Sequence, residues 1–177
     1  DTLTPSISEM FENAKVPFSM PDQMPGEASR EILLENPYFA GATGVDAYAI
    51  GYQMGERAAE LGYKKALIVA GAIGDTSQDG HANGFTDGFT DNGGQVIASA
   101  RCSDPSEGPA KADDLFAAYG TEADCVYGGQ SDFVRAAVSA MGSYNVDIMA
   151  FGADSDDAAI EMIENGLLIG DGGHSVN

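Results

Sequence analysis

Basic side chains are scarce in this sequence: eight lysines and arginines stand against 28 aspartates and glutamates, for a formal charge of −20 over 177 residues. A surface of that sign repels phosphate backbones and anionic headgroups, which argues against nucleic acid as a partner. Its commonest role is simply solubility. No apolar run approaches the roughly 18 residues a membrane span requires, so no direct membrane insertion is expected of this segment. The opening Asp1-Thr2-Leu3-Thr4-Pro5 has neither the basic start nor the apolar core of a signal peptide. A mature secreted chain and an excised fragment would both begin in this way.

Tryptophan is absent, and cysteine and histidine occur twice each. Cys102 and Cys125 have no CxxC partner, which removes zinc and redox motifs. Both fall at or near expected strand ends, as buried free thiols or, in the alternative, as a disulfide. His81 and His174 have no neighbour at metal-ligand spacing, and a lone histidine more often makes a structural hydrogen bond than a catalytic one. No serine sits in a GxSxG elbow, and the dinucleotide fingerprint GxGxxG is missing. The turn Gly71–Ser77 resembles a phosphate loop only superficially, since Gly74 is followed by Asp75 instead of a Lys-Ser/Thr pair. Neither Asp75–Asp79 nor Asp154-Ser155-Asp156-Asp157 has the alternate ligand spacing of a calcium loop. No cofactor, metal or enzymatic activity is expected.

What the chain does have is alternation. Residues 1–15 form a helix, with Ser6 or Ser8 as cap and Ile7, Met10, Phe11 and Ala14 on one face. Val16–Met20 is a short strand that runs into a proline-rich crossing, Pro21–Gly26. A helix and one short strand have no evident sheet of their own, which suggests that part of a domain lies upstream. Residues 26–37 are polar, extended or loosely helical, and Tyr38–Gly44 is extended. Asp46 caps a helix with Ile50, Met54, Ala58 and Leu61 on its apolar face, and Gly62 ends it.

Beyond Gly62 short apolar strands and helices alternate without interruption. Strands are expected at 66–70, 95–100, 123–128, 147–151 and 167–170, with helices at 78–91, 110–119, 132–142 and 156–165. This pattern predicts an α/β fold, a three-layer, doubly wound parallel sheet with helices on both faces. Ligands of such sheets bind at the carboxyl ends of the strands. His81, in the first turn of the helix after Gly71–Ser77, belongs at that edge together with Gln130, Asp154 and His174 by position. Asp156 and Asp157 serve as helix caps, and Ser131 or Asp132 caps the helix after Gln130; Asp154 is not needed as a cap. Side chains of mixed donor and acceptor character suit a hydroxylated neutral ligand better than an anion.

The order of these segments resembles a known family. Val16-Pro17-Phe18-Ser19, Gly44-Val45-Asp46 with Gly51 and Gly55, the pair Gly84-Phe85, and Phe151-Gly152-Ala153-Asp154 with Asn165-Gly166 are similar to the periplasmic sugar-binding proteins and the lactose-repressor-type effector domains. That family, of the type I periplasmic binding protein fold, has two flavodoxin-like lobes joined by three crossings, with ligand between them. The resemblance implies that residues 1–25 are a remnant of the first lobe and first crossing, and that 26–177 form the second lobe up to the return crossing. It implies ligand contacts from Asp22, Gln23, His81, Gln130, Asp154 and His174, with Gln23 and His81 standing where relatives carry arginine. It places a strand between those bearing Cys102 and Cys125, which counts against a disulfide. It further implies an extracytoplasmic solute-binding protein, in the periplasm or as a cell-surface lipoprotein. Its expected partners are a sugar or similar polar solute and the membrane permease of an ABC importer. An effector domain of a transcription regulator is the first alternative, disfavoured by the acidity. A small flavodoxin-like enzyme is the second, disfavoured by the missing phosphate loop and catalytic pair.

Overall fold

A computed structural model describes residues 3–21 and 24–173. The chain divides into two compact units, residues 1–45 and 46–177. This division by contact density lies further along the chain than the 25/26 boundary drawn from the resemblance, because the second strand of the first unit pairs with its first.

The first unit contains α1 (Thr4–Ala14), β1 (Phe18–Met20), α2 (Glu27–Glu35) and β2 (Phe39–Ala42). β1 and β2 pair in parallel, with Phe18 opposite Phe39 and Met20 opposite Ala42. Phe18 stacks on Phe11 at 4.5 Å and meets Phe39 at 5.4 Å. Residues 27–35, expected as extended or loosely helical, are a regular helix with Gly26 as its N-cap. The face of α1 that packs also differs from expectation. Thr4 and Ser8 are its buried residues, while Met10 is 68% exposed and Ala14 is exposed. Neither Ser6 nor Ser8 caps the helix, whose N-cap Leu3 has no side-chain bond. The physical reason is Asn36. Buried with Leu33, it donates to both the carbonyl oxygen and the hydroxyl of Ser8 at 2.8 Å, and its own side-chain oxygen accepts from the Tyr38 amide at 2.9 Å. A buried amide that must satisfy its donors determines which side of α1 faces inward.

The second unit runs α3 (Ala47–Glu60), β3 (Lys65–Ala70), α4 (Thr76–Asp91), β4 (Gln95–Arg101), α5 (Gly108–Tyr119), β5 (Cys125–Gly128), α6 (Ser131–Tyr144), β6 (Met149–Ala153), α7 (Asp157–Glu164) and β7 (Leu168–Gly172). The five strands β3–β7 form one parallel sheet in the order β4-β3-β5-β6-β7. The expected doubly wound α/β fold is therefore present. β3 separates β4, which Cys102 follows, from β5, which carries Cys125, and both thiols are free and buried.

Strand residues alternate between two cores, as the two-residue period requires. Leu67, Val69, Val126 and Ala150 face α5 and α6, while Ala66, Ile68, Tyr127 and Phe151 face the side of α3 and α4. On that second side Tyr127 stacks on Phe85 with ring centroids 4.4 Å apart and planes within 8°.

Of the apolar face expected on α3, Ala58 is buried and Ile50 and Met54 pack against the same core, but the contact with α4 is made by a different stripe. The buried stripe of α3 is Ala47, Gly51, Gly55, Ala58 and Ala59, whereas Leu61, expected on the packed face, is 43% exposed. A Cβ at Gly51 would overlap the His81 carbonyl, and at Gly55 the Phe85 carbonyl. In return, a Cβ at Gly84 or Gly88 would overlap the carbonyl of Tyr48 or Tyr52. The helices thus lie backbone against backbone along a seam of glycines at four-residue spacing. At its outer rim Tyr48 donates to Asp87 at 2.9 Å and Tyr52 to Asp91 at 3.2 Å. Alanine at Gly84 is expected to lower unfolding stability by about 1–3 kcal/mol through overpacking. Alanine at Gly142, in α6 with nothing within 4 Å of its added Cβ, is expected to raise it by about 0.5–1 kcal/mol. Urea denaturation of both variants checks the pair, and equal effects would contradict the seam.

Candidate functional site

The carboxyl edge of the five-stranded sheet gathers the polar side chains of the second unit. At the tip of β3 the chain turns through Gly74, at φ +90°, into α4. Asp75 is the N-cap, accepting from the Ser77 and Gln78 amides at 3.0 and 2.9 Å. These helix N–H groups are already satisfied by a carboxylate, which agrees with the exclusion of a phosphate loop.

Two networks build up from this turn. Arg101, at the end of β4, donates to the Gly71 and Ala72 carbonyls at 2.6 and 3.1 Å and pairs with Asp79 at 2.6 Å. Asp79 in turn accepts from the Gly74 amide at 2.8 Å. The pair is largely covered, with side-chain exposures of 20% and 31%, and it ties the β3–α4 turn to the next strand. In the second network Gln78 accepts from the Gly71 amide at 2.8 Å and donates to the Gln130 side-chain oxygen at 3.2 Å.

His81 lies in the second turn of α4. It is buried, and its Nδ1 is 3.2 Å from the Tyr127 hydroxyl. Burial, together with the negative charges of Asp171 and Asp154, pushes the Tyr127 phenol far above its usual value, so it stays neutral. His81 therefore lies beneath the edge, against the sheet. Gln130, half-buried, is the N-cap position of α6. No side chain caps that helix: Ser131 is buried, and Asp132 is held by Arg135 at 2.5 Å, so the expected cap at Ser131 or Asp132 is absent. Arg135 also reaches Asp156 at 2.7 Å, and this, with the Ala159 amide, holds the Asp156 carboxyl below its usual range. Asp156 is the N-cap of α7, as expected.

Asp154 is exposed at the tip of β6 and is not a cap. It and Ser155 have φ of +95° and +50°, two successive left-handed residues that cost roughly 1–3 kcal/mol each. Asp171, at the end of β7, holds this turn in place. Its Oδ1 accepts from the Ser155 amide at 2.6 Å and the Ser155 hydroxyl at 3.0 Å. Its Oδ2 is buried with no partner among the described residues. Burial raises the Asp171 carboxyl above its ordinary value; the Ser155 bonds pull the other way, and the charges of Asp154 and Asp156 add to the rise.

Of the six residues implied for ligand contact, the structure thus brings His81, Gln130 and Asp154 to one edge. Asp22, Gln23 and His174 lie outside the described residues. Gln78, Arg101, Tyr127 and Asp171 belong to the same edge and are not singled out by the sequence. Only Arg101, a cation directly after an apolar strand, carries a signal that could find it. Among the described residues no group of three or more metal-ligating side chains occurs, and no helix is long and apolar enough to cross a membrane.

This edge and its sheet order accompany a family match: residues 36–171 fit the periplasmic binding protein domain. The chain belongs to that family. No individually curated protein matches it in sequence. Solved structures share its fold at low identity. A periplasmic solute-binding protein of an ABC transporter from Actinobacillus succinogenes, with bound D-allose, is 18% identical at a TM-score of 0.80, covering 93% of this chain and 59% of its own. An ABC transporter solute-binding protein from Agrobacterium vitis with bound D-fucose is 19% identical at 0.78, with 94% and 57% covered. One from Bacillus halodurans with bound myo-inositol is 22% identical at 0.75, with 94% and 57% covered. The chain therefore spans less than two thirds of these proteins' length.

The raised Asp171 carboxyl has a stability consequence. The native state holds this proton to a higher pH than the unfolded chain does. The favourable contribution is complete below the ordinary carboxylate range and is lost as pH rises through the raised native value. The unfolding free energy of the wild type minus that of Asp171→Asn, measured by urea titration from acid to neutral pH, should therefore fall as pH rises. A flat difference would mean that Asp171 titrates normally.

Proposed function

We propose that this periplasmic binding protein domain chain serves as the solute-binding component of an ABC importer and takes a sugar or a similar small polar solute at the carboxyl edge of its five-stranded sheet. The observation that carries this reading is the character of the edge. It combines an exposed carboxylate, Asp154, with an amide, Gln130, over a base formed by His81 and Tyr127, while its arginines are occupied within the fold, Arg101 by carbonyls and Asp79 and Arg135 by Asp132 and Asp156. A carboxylate with neutral polar neighbours accepts from hydroxyls and repels anions. Three of the similar structures carry D-allose, D-fucose or myo-inositol, all neutral and polyhydroxylated, which supports the same ligand class here.

In this reading Asp154 accepts from two ligand hydroxyls, Gln130 contacts a third, and His81 bears on the ligand from beneath. Asp22, Gln23 and His174 contribute from the two crossings, and residues 26–177 act as the second lobe. Binding closes two lobes about their hinge and neither makes nor breaks a bond in the ligand, so the protein is not an enzyme. The closed form is recognised by the membrane permease. The protein works outside the cytoplasm, in the periplasm or as a surface lipoprotein. A charge of −20 favours transport over the effector domain of a DNA-binding regulator.

Calorimetry against a panel of sugars and polyols, headed by D-allose, D-fucose and myo-inositol, tests the ligand class. At least one should bind, and Asp154→Ala should weaken it by about tenfold or more, as loss of charged hydrogen bonds requires. Unchanged binding in Asp154→Ala would remove the site assignment, and silence across the panel would remove the ligand class.

A further inference from the structure

Gln78 carries a consequence beyond its own hydrogen bonds. Its side chain is nested between two glycines. A Cβ at Gly71 would meet its Cγ at 2.6 Å, and one at Gly129 would meet its Oε1 at 3.3 Å. The Gly71 N–H can only donate, so the Gln78 atom 2.8 Å away must be the oxygen. The Gln78 nitrogen is then the atom that faces Gln130, at 3.2 Å, and because it can only donate, Gln130 must turn its oxygen inward. One backbone N–H thus decides the orientation of two side-chain amides in series. The Gln130 nitrogen is left on the side away from Gln78, with no partner among the described residues.

We infer that Gln78 is a positioning residue that locks Gln130 with its amide nitrogen presented outward, so that the site selects, at that point, a ligand oxygen able to accept a hydrogen bond and rejects a group that can only donate. The ligand part of this inference rests on the carboxyl edge being the solute site; the relay itself does not. Gln130 on its own would be indifferent, since a free amide rotates to offer either end. Locked, it discriminates, because a donor-only group placed against it leaves two donors face to face without acceptors.

The substitution Gln78→Glu separates these roles. One oxygen of the introduced carboxylate still accepts from Gly71, but the other can only accept, so Gln130 must flip, donate inward and present its oxygen outward. Hydrogen exchange of the side-chain amides, followed by NMR on the 177-residue chain, reads this directly. In the wild type the Gln78 amide protons should be protected and those of Gln130 should exchange freely. In Gln78→Glu the Gln130 protons should become protected by about tenfold or more. Gln130→Ala should expose the Gln78 protons, while a protected Gly71 amide in both variants shows that the fold persists. Gln130 protons that behave alike in wild type and Gln78→Glu would overturn the relay.

The ligand arm uses myo-inositol and the set of analogues with one hydroxyl replaced by an ammonium group, so that every analogue carries the same charge. The wild type should disfavour one substitution position by about tenfold relative to the others, and Gln78→Glu should abolish that penalty. A flipped amide with unchanged ligand preference would overturn the specificity role. Failure of myo-inositol and of the whole sugar panel to bind would overturn the reading of the edge as a solute site, and with it that role, while the exchange result decides the relay independently.

Discussion

Backbone contact between two helices governs the rest of the second unit. Gly51 and Gly55 of α3 and Gly84 and Gly88 of α4 leave no room for a Cβ against the facing backbone, so the helices approach as closely as polypeptide allows. That approach leaves α4 little freedom to slide or rotate over the sheet. Its inner face is then set: Phe85 lies on Tyr127, His81 reaches the same tyrosine's hydroxyl, and Gln78 drops between Gly71 and Gly129. Glycine within a helix costs roughly 0.5–1 kcal/mol relative to alanine. The packing of aromatic side chains on the sheet and the alignment of the Tyr48–Asp87 and Tyr52–Asp91 bonds at the rim offset that cost.

The carboxyl edge inherits its chemistry from this placement. Its charged groups are either neutralised within the fold or left facing outward. Arg101 and Asp79 cancel one another over the β3–α4 turn, and Arg135 is divided between Asp132 and Asp156. Asp171 commits one oxygen to Ser155 and keeps the other buried without a described partner. Asp154 faces outward, on a backbone turn held by the Ser155–Asp171 bonds and by the Asp154 amide bond to the Gly172 carbonyl at 3.2 Å. Strain of this kind is tolerated where surrounding contacts over-determine it, and it occurs where a side chain must be aimed. An exposed carboxylate beside a half-buried amide is a small set of polar groups on a wall of packed sheet and helix, the mixture of few polar groups and packed surface that small-molecule sites have in general.

Much of the architecture is legible without coordinates. The strands around Leu67, Val126 and Ala150 are recognisable because buried parallel strands read as short apolar runs, and Asp46 and Asp156 mark helix starts because a carboxylate accepts from the first free amides. Gln130 and Asp154 can be placed at the edge because each falls within two residues of its strand's carboxyl end. Gln78 cannot, since its partner is 52 residues away and in sequence it looks like any polar residue in the first turn of a helix. Asp171 gives no signal because the expected strand stops one residue short of it. Ser8 resembles a cap in sequence, whereas its true partner, Asn36, lies 28 residues on.

The division follows from the range of the forces involved. Period, capping and turn chemistry act within a few residues, so local sequence decided that this chain would alternate strand and helix, carry an acidic surface and expose polar residues at one end of its strands. Which polar groups would be consumed by one another, and which would be left for a ligand, depended on how closely α3 meets α4 and on which strands become neighbours. Those are contacts between distant segments, and only the packed tertiary structure decided them.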